Sequence, residues 1–245
     1  MTVNSTVETY YAGAYWRLRK EPPEECGRRA EVFFQALASV DPSFSRWFKL
    51  GRSRKEALKN RIEIERTYLE KMFRRGKLKP FDELGFRISG WNGEGDDDDD
   101  DCGFYIICGG YAEQVGNVCV FDLPNGGGPS SQRVRTAPVL TSLVRAMAVA
   151  WEPDWALATS SAHRDLVSEK GEAGTFVSWV NYISRRRGTV PPLPAPVRIE
   201  RVEDKGTLIV LTPERFTVSN PEHVALAERV RELLDRAGLL GPIGA

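Results

Sequence analysis

What this chain lacks narrows its possible roles first. No run of about 18 apolar residues occurs, so no segment is expected to cross a membrane. The opening residues, MTVNSTVETYY, carry neither a basic start nor an apolar stretch, so no secretory leader is expected. Cysteine and histidine are scarce. Cys26, Cys102, Cys108 and Cys119 form no C-x-x-C pair, and His163 and His223 lie far along the chain, which is the wrong spacing for zinc. The thiols are expected to be reduced, three of them in strands, in a cytoplasmic protein. Gly126-Gly127-Gly128 runs into Pro129 where a phosphate-binding loop needs Lys-Thr or Lys-Ser, and no G-x-S-x-G is present. No cofactor or metal is expected.

What is present suits a packed globule. A 41% hydrophobic content, with six Trp, seven Tyr and eleven Phe, supplies enough large apolar side chains for a substantial core. The 245 residues fit a single domain spanning 1–245. Net charge is zero, but it is segregated. Residues 1–80 hold 18 basic and 10 acidic residues, residues 81–130 hold 1 and 11, and residues 131–245 hold 15 and 13. The middle segment is an acidic island with Arg87 as its sole cation. At its centre stands GEGDDDDDDCGF, six aspartates in a row from Asp96 to Asp101.

Periodicity places the elements. Thr9–Trp16 reads as an aromatic strand. Pro22-Pro23 opens a helix whose stripe is Cys26, Ala30, Phe33, Phe34 and Leu37, ended by Asp41-Pro42. A second helix is predicted near Arg61–Arg75, with Ile62, Leu69, Met72 and Phe73 inward and Gly76 at its end. Three strands follow: Leu84 to Trp91, Phe104–Cys108 and Asn117–Leu123. They suggest an antiparallel meander, with the aspartates connecting the first two. Asn125–Ser131 is predicted as a loop, and Pro138 to Trp151 as a helix stopped by Pro153. Trp155–Ser160 and Thr175–Ser184 are predicted as strands, and Arg185–Pro196 as a surface connection. Val197–Glu203 and Thr207–Thr212 are predicted to form a hairpin over Asp204-Lys205-Gly206. The last helix is capped by Asn220 with Pro221 at its first position. It lines up Leu226, Val230, Leu233, Leu234 and Ala237, and Gly238 ends it. Strands in groups, with helices between groups, indicate an α+β fold of mainly antiparallel sheet with flanking helices.

Enzymatic readings fare poorly. An EF-hand register starting at Asp96 puts Asp101 where glycine belongs and Ile107 where glutamate belongs. Starting at Asp98 leaves Cys102 and Gly109 at ligand positions. Pro153-Asp154 and Glu203-Asp204-Lys205 carry the letters of a restriction-type nuclease, the alternative reading of this chain as a metal-dependent nuclease or other hydrolase. The plainer reading is a helix stop and a turn. Ser160, His163 and Asp165 are sequence neighbours, whereas triads assemble from separate elements, so Ser160 or Ser161 is expected to cap a short helix. His223 is expected at the surface. Arg185-Arg186-Arg187 and Arg46–Lys59 are read as solvated or internally paired, because the acidic island would repel nucleic acid.

Five stretches together resemble one family. Tyr10–Trp16 (YYAGAYW), Trp47–Leu58 (WFKLGRSRKEAL), Cys108–Tyr111 (CGGY), Ala150–Trp155 (AWEPDW) and Pro221–Leu240 (PEHVALAERVRELLDRAGLL) are similar, in consistent order, to the immunity protein 52 family of bacterial polymorphic toxin systems. The resemblance implies a non-enzymatic α+β protein. Its partner would be a cognate toxin, often a restriction-endonuclease-fold nuclease, and neither nucleic acid nor membrane. It carries over no interface residues. The charge pattern nominates Glu94, Asp96, Asp97, Asp98, Asp99, Asp100 and Asp101 to meet a basic toxin surface, with Trp91 beside them as an anchor. An extended strand advances about 3.3 Å per residue, close to the charge spacing of a nucleic-acid strand. Repulsion between neighbours about 7 Å apart is only about 0.6 kcal/mol in water, so the run stays ionised.

Overall fold

A computed structural model describes residues 8–94, 100–113 and 116–243. Its strands, numbered in chain order, are β1 (Tyr10–Trp16), β2 (Phe86–Trp91), β3 (Gly103–Cys108), β4 (Asn117–Asp122), β5 (Trp155–Ser160), β6 (Val180–Ser184), β7 (Arg198–Val202) and β8 (Gly206–Val210). They form one sheet in the order β2-β3-β4-β1-β5-β6-β8-β7, and every pairing is antiparallel. The expected meander is β2-β3-β4. β1 then slots between β4 and β5, so the first strand of the chain lies at the middle of the sheet.

Period-two alternation sorts the side chains of the β2–β4 half. On one face Tyr10, Ala12, Ala14 and Trp16 of β1, Phe104, Ile106 and Cys108 of β3, and Cys119 and Phe121 of β4 are buried. This face carries the helices α1 (Pro23–Leu37), α3 (Arg66–Arg75) and α5 (Ala137–Trp151), with the single turn α2 (Arg54–Ala57) between α1 and α3 in the chain. α1 has Pro23 at its first turn, where a missing N–H costs nothing, and acidic Glu24 and Glu25 beside the positive helix end. All five residues of its predicted stripe are buried. α5 packs on β1, β5, β6 and β8 beside α1, which itself reaches the sheet through Phe33 and Phe34, and most of α5 is buried, hence its nearly all-apolar sequence. The Trp16 ring stacks on Trp151 at 5.5 Å, and Phe33 meets Trp151 and Phe121 edge-on at 6.0 and 5.4 Å. Each such fully buried ring contributes about 1.5–3 kcal/mol of transfer free energy. α5 ends at Glu152, which adopts a left-handed φ of 48° before Pro153.

Among the described residues the opposite face is closely covered on one half only. Beneath β5 and β6, Trp155 packs edge-on to Phe176 at 5.3 Å, and Ile243 approaches Gly174. All residues of β5 and β6 are therefore buried on both sides. Beneath β1, β3 and β4 the side chains Tyr11, Tyr15, Tyr105, Ile107 and Val118 stay half-buried, and Asp122 is exposed.

Four expectations change. The second helix begins at Arg66, because Ile62 and its neighbours instead pair with Trp47 and Phe48. The predicted loop at Asn125–Ser131 is shorter, since Pro129 starts the helix α4 (Pro129–Val134). Thr175–Ser184 is a strand only from Val180. Phe176, Val177 and Trp179 are buried, but in a segment folded across the sheet. His223 is buried, not at the surface. Its ring stacks on Phe216 at 5.2 Å and its Nδ1 accepts the Thr217 N–H at 3.2 Å.

Candidate functional site

The turn between β2 and β3 is built around one buried amide. Asn92 donates its backbone N–H to the Cys102 carbonyl at 2.9 Å, continuing the ladder one step past Trp91. Its side-chain Oδ1 accepts the N–H groups of Glu94 (3.2 Å) and Cys102 (3.0 Å), and its Nδ2 donates to the Ser43 carbonyl at 3.2 Å. Asparagine suits this place because one side chain holds both an acceptor and a donor. Gly93 follows with φ of 76°, a conformation glycine takes without strain.

The nominated carboxylates divide. Glu94 Oε2 accepts from Ser43 Oγ at 2.9 Å and Ser130 Oγ at 3.4 Å. Asp100 Oδ1 accepts from Ser131 Oγ at 2.5 Å. Both therefore turn back onto the chain and fasten the turn to α4 and the 41–43 corner. There Asp41 is buried, paired to Arg133 at 2.7 Å and capping Ser43 N–H at 2.9 Å. Asp101 is half-buried. Asp96, Asp97, Asp98 and Asp99 lie outside the described residues. Trp91 is half-buried at the sheet edge, its ring 6.4 Å from Phe48 and 5.5 Å from the Arg54 guanidinium. Its indole N–H is buried without a hydrogen-bond partner among the described residues.

Asp122, which the charge pattern did not nominate, joins this group. It pairs in register with Gly103, the first strand residue after the acidic run. Among the described residues its carboxylate has no cation beside it, and desolvation pushes its pKa above the usual carboxylate range. The sheet sorts charge along its strands. Asp122 and the acidic turn lie at the Tyr10 end of β1. At the Trp16 end, Arg17, Arg19, Arg186, Arg187 and Asp154 line a cleft of about 450 Å³.

The two nuclease-like fragments do meet at that second end, across β6. Ser184 N–H donates to the Asp154 carbonyl, and Arg185 N–H to the Lys205 carbonyl. Their side chains are committed elsewhere. Asp154 Oδ2 accepts the Arg17 N–H at 2.9 Å, and its Oδ1 lies 3.3 Å from Arg186. Lys205 Nζ contacts Glu152 Oε1 at 2.6 Å, which holds that carboxyl below its ordinary pKa. Among the described residues no group of three or more His, Cys, Asp or Glu side chains is placed to hold a metal ion.

The Ser160–His163 pair is a helix cap, as the spacing predicts. Ser160 Oγ accepts the His163 backbone N–H at 3.0 Å at the start of α6 (Ser161–Val167). The imidazole Nε2 donates to the Val177 carbonyl at 2.9 Å, while Asp165 pairs with Arg164. Burial lowers the His163 pKa and raises those of the Cys102, Cys108 and Cys119 thiols. None of these groups is poised as a nucleophile or base.

Among the described residues no helix is long and apolar enough to cross a membrane. A comparison with curated proteins gives no match. Among solved structures the chain is similar to the Pseudomonas aeruginosa T6SS protein PA0821. The TM-score is 0.49 at 13% identity, covering 92% of this chain and 73% of that one. The model of the family described as immunity protein 52 matches residues 8–243. With the whole described sheet and its helices inside that match, the chain belongs to the immunity protein 52 family.

Proposed function

We propose that this protein binds and neutralises a cognate toxin by surface contact alone, and that the toxin is a nuclease of the restriction-endonuclease type. Family membership supports the immunity role. The acidic segment supports a nuclease as partner, because an enzyme that holds phosphates exposes a basic cleft. One observation carries the reading: the aspartate run sits on a hairpin whose root is fastened by Asn92, Glu94 and Asp100. Charge fixed on a rigid base steers an encounter, and the steering weakens with salt.

The test uses the product of the reading frame next to this one, co-expressed and co-purified with it. Replacing Asp96 through Asp99 by serine spares the Asp100–Ser131 bond. Stopped-flow association at low and high salt should then show a slower rate with a flatter salt dependence. An unchanged rate and salt slope removes the steering role. If no complex elutes, and cells making the neighbouring toxin die equally fast with and without this chain, the immunity reading fails. Mg²⁺- or Mn²⁺-dependent plasmid cleavage by the purified protein, abolished by Asp154→Ala, would replace it with the hydrolase reading.

A further inference from the structure

The acidic turn supplies charge but little area, and tight complexes rest on buried anchors. The structure offers such anchors on the half of the sheet that the described residues leave partly open. The outward positions of β1, β3 and β4 hold Tyr11, Tyr15, Tyr105, Ile107 and Val118, all half-buried. An outer sheet face in water normally carries polar residues alternating with the core set. Here that face is aromatic and β-branched, like the opposite face that packs on helices. On the other half of the same sheet the equivalent positions, Trp155 and Ile183, are fully buried, Trp155 against Phe176, and the C-terminal tail pairs with the segment that carries Phe176. The open half has the composition of a covered face. Contiguous apolar area rimmed by polar groups marks an interaction surface.

The rings are also held in place. A Cβ at Gly13 would fall 2.7 Å from the Tyr15 ring, so that ring lies flat on the strand beside a residue with no side chain. The Arg87 guanidinium sits 5.5 Å from the Tyr105 ring, and Arg164 sits 5.5 Å from Tyr11. Rings already fixed lose little freedom on binding, and tyrosine is enriched at the centres of interfaces.

Arg87 and Arg164 on this face are engaged with the Tyr105 ring and with Tyr11 and Asp165, so the charge left for an occupant lies at the acidic end. Toward the acidic turn the face ends at Asp122, exposed and without a cation among the described residues. One strand away lies Gly103, followed back along the chain by Asp101 and Asp100. We propose that the open face of β1, β3 and β4, centred on Tyr11, Tyr15 and Tyr105 with Asp122 at its acidic end, is the docking surface for a lysine- and arginine-bearing protein surface. This rests on the toxin-binding reading above and adds where the toxin sits. A partner cation pairs with Asp122, and partner side chains cover the tyrosine rings. Nucleic acid is a poor occupant, since its phosphates would meet these carboxylates.

The experiment immobilises the neighbouring reading frame's product and measures binding of the full chain and four variants by biosensor. Tyr105→Ala removes an anchor, Asp122→Lys reverses the end charge, and Ser89→Arg adds bulk beside Tyr105 without removing any packing. Ile199→Ser alters an exposed apolar residue on β7 at the far edge. Thermal melts confirm that each variant folds. The first three should weaken binding by on the order of tenfold or more each, chiefly through faster dissociation, with Ile199→Ser within about twofold. If wild type binds and the three face variants bind equally well, the docking surface is wrong while the immunity reading stands. If wild type does not bind, the immunity reading fails first. If the protein alone is a dimer that Ser89→Arg dissociates, the face belongs to a second copy and the proposed occupant is overturned. Ser89→Arg decides the matter even if Tyr105→Ala does not fold.

Discussion

Asn92→Ala isolates what the root of the acidic turn is worth. The side chain is 2% exposed and makes three hydrogen bonds, to the N–H groups of Glu94 and Cys102 and to the carbonyl of Ser43. Each contributes about 1 kcal/mol net, and leaving the buried Cys102 N–H without an acceptor costs about 1–3 kcal/mol more. The strand ladder itself survives, since the backbone bond from Asn92 to Cys102 does not involve the side chain. The expected loss is thus about 4–6 kcal/mol. For a chain of this size each kcal/mol lowers Tm by about 2–4 °C, so the variant should melt about 8–24 °C lower. Urea unfolding followed by tryptophan fluorescence gives the free energy directly, and an unchanged m-value would confirm that only stability has moved. A loss below about 1 kcal/mol would refute the reasoning, since it would mean that these bonds are exchanged for water at no net cost.

Two further outcomes follow from buried titratable groups. Cys26, Cys102, Cys108 and Cys119 are all buried and free, and burial raises the pKa of three of them, so a thiol reagent should label none of the four in the native protein and all four in guanidinium. Labelling of any native thiol within minutes would contradict the packing of the helix-bearing face. Burial lowers the His163 pKa, so the unfolded chain takes up a proton that the native one refuses. Above the ordinary histidine pKa of about 6.5 the residue adds no pH dependence, and as pH falls below it stability is lost until the native pKa is reached. His163→Gln keeps a donor for Val177 and should flatten that part of the stability profile between about pH 7 and 5, measured as Tm against pH. A profile as steep as wild type would assign the slope to other groups.

Local chemistry was readable and long-range placement was not. The Asn220 cap accepts the Glu222 N–H at 3.0 Å, the α1 stripe is buried as its spacing predicts, and β2, β3 and β4 pair as the expected meander. These depend on neighbours a few residues apart. The position of β1 at the centre of the sheet depends on Tyr11 meeting Asp122 and Thr159, partners more than 100 residues away. The apolar run Phe176–Trp179 announced burial, but an apolar run alone does not distinguish a strand from a segment folded across one. His223 looked like a surface residue because its partners, the Phe216 ring and the Thr217 N–H, precede the helix it belongs to. The aspartates were legible as charge. That Glu94 and Asp100 spend their charge on Ser43, Ser130 and Ser131 was not, since those hydroxyls come from two other segments.

The tyrosine face was the signal that sequence reading missed, and the reason is physical. Alternation in YYAGAYW and GFYIIC divides each strand into two sets, both rich in large side chains. Nothing local says which set a helix will cover, because that depends on which side of the sheet α1 and α5 settle. Once the helices take Tyr10, Trp16 and Phe104, the set Tyr11, Tyr15 and Tyr105 is left half-buried, with Arg164 of α6 over the Tyr11 ring. Burying such rings yields free energy only if something arrives to cover them. The surplus of large side chains on both faces is therefore a property of a sheet made to be covered twice, once by its own helices and once by a partner. Asp122, at one end of that second face, then favours a partner that brings a cation to that end.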